Sequence, residues 1–330
     1  MHCLVARTLG QEIRSQWEML AGKSKFRVPE VLLVFAAVCL LSALLPGIVY
    51  SIFLLLALPF PKAAAIFSLL LILFLLRKNL KETIASLCCI GAILVGFAQT
   101  HDFTFDGQMY HGAAILYLLE GWNPVWDQEL NTLSQTQTDG FPAFTQINTY
   151  PKVTWYCASV LAAWFNDPEA GKALSLLLGL GAVVFVSSTL ANLGLSGIFA
   201  PLFALTLVVT PVVAVQFFTF MVDGVVAICC VLALSLVADL LQNKSKFKEA
   251  LLFILAAFFL NSKHTSAFLC FCIGILLLGI SLRFRRDQKW ARIRNLWLGG
   301  ALFGIFVVGF NPFVTNTFRH GNPLYPALGG

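Results

Sequence analysis

Apolar residues run in long blocks along the chain, and short polar or charged stretches separate them. The first block, 31–60, is too long for one upright membrane crossing. Pro46-Gly47 sits near its middle and Pro59-Phe60-Pro61-Lys62 closes it, which predicts a kinked helix with a sharp stop. Further blocks at 63–76 and 83–100 follow. Residues 101–152 break the pattern, being polar and aromatic throughout. The segment 153–165 is apolar but short, and it carries Trp155, Tyr156 and Trp164. That combination predicts a helix lying in the membrane interface with its rings at headgroup level. Spans are then predicted at 171–191, 198–218, 221–241, 250–260, 265–282 and 296–310, since roughly 20 apolar residues cross the hydrocarbon and fewer suffice when flanks snorkel. The pattern as a whole predicts an all-α, polytopic transmembrane helical bundle of about nine spans. Residues 1–30 form a cytoplasmic N-terminal segment and 31–330 the transmembrane domain, with 101–170 an outer loop plus interfacial helix. Residues 1–30 lack the short apolar core of a cleavable signal, so the first apolar block is expected to anchor the chain.

Charge orients this bundle. With the N-terminus in the cytoplasm and each span crossing once, 17 of the 22 basic residues fall on the inner side. They are Arg7, Arg14, Lys23, Lys25 and Arg27; Arg77, Lys78 and Lys81; Lys244, Lys246 and Lys248; and Arg283, Arg285, Arg286, Lys289, Arg292 and Arg294. Lys62, Lys152, Lys172, Lys263 and Arg319 remain outside. The asymmetry satisfies the positive-inside rule only if 153–165 does not cross. Composition agrees with the membrane class: 58% of the 330 residues are apolar and 12% charged, against roughly 45–50% and 25% in soluble domains. The net charge of +6 lies in inter-span blocks and not on one soluble face, which excludes a nucleic-acid surface. Nine cysteines lie mostly inside apolar runs, with neither disulfide framework nor zinc spacing. Cys157 alone lies near the outer polar segment, with no evident partner.

In this topology the outer face collects Asp102, Asp106, Glu120, Asp127, Glu129, Asp139, Asp167, Glu169 and Asp223, with His101, His111, His264 and His320. Asp102 and Asp106 directly follow the third span, where a lipid-linked substrate presents its headgroup. A carboxylate there either takes a proton from an acceptor hydroxyl or merely caps and solvates the loop. Lys263, in Asn261-Ser262-Lys263-His264-Thr265 between two short apolar runs, either neutralises a phosphate or snorkels at a helix end. Arg319 and His320 invite the same two readings. Asp223 is either a substrate ligand or an N-cap. The histidines and carboxylates offer ligands to a divalent cation, although their spacing matches no metal motif.

Asp106-Gly107-Gln108-Met109-Tyr110-His111, followed by Gly121-Trp122-Asn123-Pro124, resembles the first outer loop of GT-C superfamily glycosyltransferases. It is most similar to a bacterial branch reading Asp, three residues, Tyr-His, then Gly-Trp-Asn-Pro. Tyr150-Pro151-Lys152 resembles the Pro-Lys motif that opens the interfacial helix of that family, and Lys263 falls in a Lys-x-Thr element. Asp223 falls where many members carry an acidic residue at the outer start of a span. Asn311-Pro312 and His320-Gly321-Asn322-Pro323-Leu324-Tyr325-Pro326 resemble a second outer-loop signature, so the resemblance covers roughly residues 85–330 in matching order. It implies an enzyme of the bacterial inner membrane and cell envelope that moves a hexosyl or pentosyl group from a polyprenyl-phosphate-linked sugar to a hydroxyl acceptor, usually with inversion. Asp106 would be the general base, with Asp102 as competitor. Lys152, Lys263 and Arg319 would bind phosphate, with His320 beside them, and Tyr110, His111 and Trp122 would shape the pocket. The expected partners are the lipid-linked sugar and membrane lipids. Family members usually continue beyond a point equivalent to Gly330, so the resemblance also implies a fragment or short relative, with acceptor recognition in the remainder. Two other classes fit the pattern: a transporter or flippase of lipid-linked saccharide, against which no internal repeat is found, and a non-catalytic relative.

Overall fold

The computed structural model describes residues 28–127, 130, 143–195 and 197–326. The basic residues Arg7 to Arg27, nearly all of the expected N-terminal segment, and Glu129 and Asp139 of the outer loop lie outside the described residues.

The described chain is all-helical. Its helices are α1 (Glu30–Leu55), α2 (Pro61–Leu75), α3 (Leu80–Ala98), α4 (Gly112–Leu119), α5 (Ala143–Thr149), α6 (Val153–Ala162), α7 (Ala173–Asn192), α8 (Phe199–Val208), α9 (Pro211–Gln216), α10 (Asp223–Gln242), α11 (Lys246–Leu260), α12 (His264–Arg283), α13 (Gln288–Phe303) and α14 (Thr315–His320). Among the described residues six stretches are long and apolar enough to cross a membrane: Glu30–Leu55, Arg77–Ala98, Pro168–Asn192, Asp223–Gln242, His264–Arg283 and Gln288–Val308. Pro61–Leu75, Val153–Ala162 and Phe199–Val208 are apolar but shorter. The expected span at 198–218 is two helices, α8 and α9, because Pro211 takes the first position of a new helix and Thr210 caps it through a bond from the Val213 N–H.

Large apolar side chains point outward along these helices, among them Phe67, Phe74, Phe203, Phe268, Phe271 and Leu302. Water does not tolerate such a continuous surface and hydrocarbon does. The architecture is therefore compatible with a multi-pass membrane protein. Helix α1 is the central element. It runs through Pro46 without ending, and most of its residues are buried. Gly181 of α7 sits against Ala36 and Leu40 of α1, where a side chain would overlap both, so the two backbones approach closely.

Next to Pro46, two backbone groups of α1 bond a side chain from another helix. The Gly47 N–H donates to Cys157 Sγ at 3.0 Å, and the Cys157 thiol donates to the Ala43 carbonyl at 3.0 Å. The thiol thus bridges the backbone groups of residues 47 and 43 and pins α6 to the middle of α1. Cys157→Ala is expected to destabilise the fold by about 1–3 kcal/mol, because two buried backbone groups lose their partner. Cys157→Ser is expected to recover part of that loss, read as the midpoint of thermal unfolding in detergent.

Helix α6 is more enclosed than an interfacial helix with lipid-facing rings would be. All ten of its residues are buried, including Trp155 and Tyr156, so its rings face the protein. Only Trp164 and Phe165, just beyond its end, are exposed. An aromatic ring with a polar tip suits a protein interior that offers a hydrogen-bond partner as well as it suits a membrane interface.

Side-chain bonds sort the helix ends into two groups. In one, Asn79 donates to Glu30, joining the starts of α1 and α3. Buried Asp239 of α10 pairs with Lys248 of α11 and accepts from Asn192 at the end of α7. Arg292 of α13 pairs with Glu249 of α11, and Arg294 of α13 donates to Ser281 of α12. In the other group, Lys172 donates to the Thr100 carbonyl beyond α3 and pairs with Glu169. Asn311 and Asn316 donate to the carbonyls of Pro124 and Thr149, tying the C-terminal segment to the segment between α4 and α6.

Candidate functional site

The second group of helix ends holds the site. After α3 the chain turns through His101–Thr104, and Asp102 is buried at that turn. Its Oδ1 accepts from the Thr104 N–H at 2.7 Å and the Thr104 hydroxyl at 2.6 Å. Its Oδ2 accepts from the Phe220 N–H at 2.6 Å, reaching 118 residues along the chain to the loop before α10. Both oxygens are therefore committed, and an Asp with an Asx-type turn has become a long-range tie. Gly107 lies directly against this carboxylate, where an added Cβ would overlap Oδ2.

Asp106 is placed differently. It is half-buried, at the start of a π-helical turn spanning Gly107–His111. The wide turn puts Tyr110 beside it, and the phenol donates to Asp106 Oδ2 at 3.4 Å. Burial, and then the neighbouring Asp106 carboxylate, push the Tyr110 phenol up, so it stays protonated and remains a donor. Local π-helical turns are frequent at functional sites.

His111 ends the π turn and is buried. Its Nδ1 accepts from the Trp155 indole N–H at 2.6 Å. Burial lowers its pKa to about 3, the Lys263 cation adds to that, and Asp102 and Asp223 oppose it. The ring is neutral at physiological pH, and with Nδ1 accepting, the proton sits on Nε2. A histidine whose folded pKa lies below its ordinary 6.5 binds a proton more readily when unfolded. Its contribution to stability is therefore present above 6.5 and lost progressively as pH falls toward 3. The thermal midpoint is expected to fall through that window, and to fall less steeply in His111→Asn, which keeps an acceptor near Nδ1 and does not titrate.

Rings extend this group. Tyr110 meets Tyr150 edge-on at 6.2 Å and Trp155 at 6.3 Å, and Tyr150 meets His264 at 5.1 Å. Lys152 is buried; its ammonium donates to the carbonyls of Asn148 and Tyr150 and lies 5.9 Å from the Trp155 ring. Lys263 and Asp223 form an ion pair at 2.5 Å, and both are partly exposed. Asp223 is the first residue of α10, and the N-cap position belongs to Val222, so the capping reading does not hold. Lys263 precedes α12, held by its N–H donating to the Ser266 hydroxyl at 2.8 Å.

The expected site residues thus fall into two sets. Asp106, Tyr110, His111, Lys152 and Lys263 share one neighbourhood through the rings and charges just described. The others sit in other contacts. Trp122 is built into an apolar cluster with Tyr50, Leu54 and Leu118. Arg319 is exposed and donates to the Asp127 carbonyl at 3.2 Å, while His320 stacks on Tyr325 at 4.0 Å. The histidines expected on the outer face are divided, for His111 and His264 join this group while His101 faces Glu169 at 3.5 Å. Among the described residues no three His, Cys, Asp or Glu side chains are placed to hold a metal ion. Sequence reasoning missed Trp155 and His264 as members of the group. The contacts that bring them in, Trp155 to His111 and His264 to Tyr150, each span more than 40 residues of chain.

Fold and site together define an all-helical protein with six candidate membrane spans and a polar, aromatic-lined group at one set of helix ends. No protein-family model, no curated protein and no solved structure matches the chain.

Proposed function

We propose that this chain is an integral membrane glycosyltransferase of the GT-C type, which moves a sugar from a polyprenyl-phosphate donor to a hydroxyl acceptor on a lipid, glycan or protein. The observation that carries the proposal is one committed carboxylate, Asp102, and one available carboxylate, Asp106, at the turn that leads into Tyr110 and His111, with the Lys263 charge felt by that histidine. Asp102 is tied up by backbone, Asp106 keeps a single hydrogen bond to Tyr110 among the described residues, and the charge of Lys263 acts on His111 from the start of α12.

In this reading Asp106 removes the proton of the acceptor hydroxyl as the oxygen attacks the anomeric carbon. The bond from that carbon to the phosphate oxygen breaks on the opposite face, which inverts the centre. The leaving phosphate gains charge, and Lys263, held in place by Asp223, offsets it. The neutral His111 offers Nε2–H to a sugar or phosphate oxygen. Lys263→Gln is expected to lower kcat/KM by about a hundredfold, as loss of one preorganised charge at a developing anion does.

The topology of nine crossings belongs to the same proposal. Support comes from the two groups of helix ends: helix direction alternates if α2, the α8–α9 pair and α11 also cross. The described basic residues Arg77 to Lys81, Lys244 to Lys248 and Arg283 to Arg294 then share one end, which the positive-inside rule assigns to the cytoplasm of a bacterial inner membrane. The Asp106 end faces outward. An apolar groove of about 450 Å³ between α1, α2, α3 and α6, from Ser42 to Trp164 and Phe165, suits a prenyl chain. The test is incubation of the purified chain with radiolabelled polyprenyl-phosphate sugars and membrane acceptors. Label moving to an acceptor supports the reading. Unchanged donor across hexosyl and pentosyl forms, with flipping in liposomes instead, overturns it in favour of a transporter.

A further inference from the structure

At the set of helix ends opposite Asp106, α10, α11 and α13 enclose a cleft of about 170 Å³. Lys244, Lys289 and Arg292 line it with one carboxylate, Glu249. Arg292 pairs with Glu249 at 2.5 Å, and Lys289 donates to the Leu241 carbonyl at the end of α10 at 2.8 Å. Lys244 is exposed. Three cations against one carboxylate leave an excess of positive charge in a concave site.

Gln288 adds one neutral polar group, and the remaining lining, Leu240, Ile293 and Leu296, is aliphatic. Leu240 precedes Lys244 by four residues, and Ile293 and Leu296 follow Lys289 and Arg292 by four. At the start of the same helix, α13, the indole of Trp290 stacks on exposed Phe284, with ring centroids 6.4 Å apart. A soluble anion would use the cations and leave the aliphatic floor unused. A phosphate bearing acyl chains uses both.

We propose that this cleft binds the phosphate headgroup of an anionic membrane lipid, with Lys244, Lys289 and Arg292 as its ligands and the acyl chains along α13. Basic clefts between helix ends select such headgroups by charge, and the apolar wall below fixes the source as a lipid. This site is independent of the transferase reading and carries no step of it.

The test is native mass spectrometry of the full chain released from micelles containing equal phosphatidylglycerol and phosphatidylcholine. Phosphatidylglycerol adducts are expected to dominate. Lys244→Gln, at an exposed side chain whose loss leaves the fold intact, is expected to reduce them about fivefold, and each further replacement at Lys289 and Arg292 by about as much again. Replacing Arg283, Arg285 and Arg286 by Gln is expected to leave them unchanged. Equal loss in both sets of variants would show a diffuse charge effect and overturn the site. Displacement of the lipid by millimolar inorganic phosphate would overturn its assignment to a headgroup.

Discussion

Asp106→Asn is expected to lower transfer by about a hundredfold to ten-thousandfold, the contribution of a positioned general base, while leaving the thermal midpoint within experimental error of the parent. The substitution changes charge and basicity but not shape. Asp106 is half-buried and carries one long bond, 3.4 Å, from the Tyr110 phenol. An amide oxygen accepts that bond as well as a carboxylate oxygen does, so Tyr110 and the π turn keep their places. Only the capacity to take a proton is lost. An amide that transfers sugar at the parental rate would remove Asp106 from the chemistry, whatever the rest of the site does.

The neighbouring carboxylate should behave in the opposite way. Asp102→Ala is expected to destabilise the chain by about 3 kcal/mol or more, since buried bonds to a charged acceptor contribute roughly 1.5–3 kcal/mol each and their donors are left unpaired. Three donors converge on the Asp102 side chain: the Thr104 N–H, the Thr104 hydroxyl and the Phe220 N–H. Asp102→Asn is expected to fare little better, because its amide group must point hydrogens at one of the backbone N–H groups. Gly107→Ala is expected to disturb the same tie from the other side, because its methyl group would overlap Asp102 Oδ2 and the Thr104 hydroxyl. The readout is the fraction of protein that stays monodisperse on heating in detergent. If Asp102→Asn kept full stability and lost transfer, while Asp106→Asn kept transfer, the two roles would have to be exchanged.

These two residues also show where the sequence stops being legible. Both are Asp in a polar run just after a helix, four positions apart, and the local sequence separates them only by the Thr104 that turns back on Asp102. The difference is made by the backbone of Phe220, far along the chain. The long helices were readable because side chains facing lipid and side chains facing the bundle are both apolar, so run length alone marks them. That same indifference hid other features. It merged α8 and α9 into one run, although Thr210-Pro211 carries a helix-start signal, and it gave no cue that α6 is interior. Trp155 looks like an interface aromatic until its indole is seen to bond His111. Cys157 has no partner in the sequence because its partners are backbone groups of α1 beside Pro46. Lys263 and Asp223 were each readable as ionisable groups at helix ends, and their pairing was not, since it needs the starts of α10 and α12 to be neighbours.

The lipid cleft between α10, α11 and α13 would hold one end of the bundle at a defined depth, and the Asp106 group occupies the other. The transferase reading depends on the second end facing away from the cytoplasm. That is tested most directly by single-cysteine labelling in intact cells with a membrane-impermeant maleimide. Phe103→Cys, in the exposed turn beside Asp102 and Asp106, should label from outside, and Arg285→Cys, in the basic turn before α13, only after permeabilisation. Labelling of position 285 from outside, with position 103 protected until the membrane is opened, would contradict the assignment of the site to the outer face.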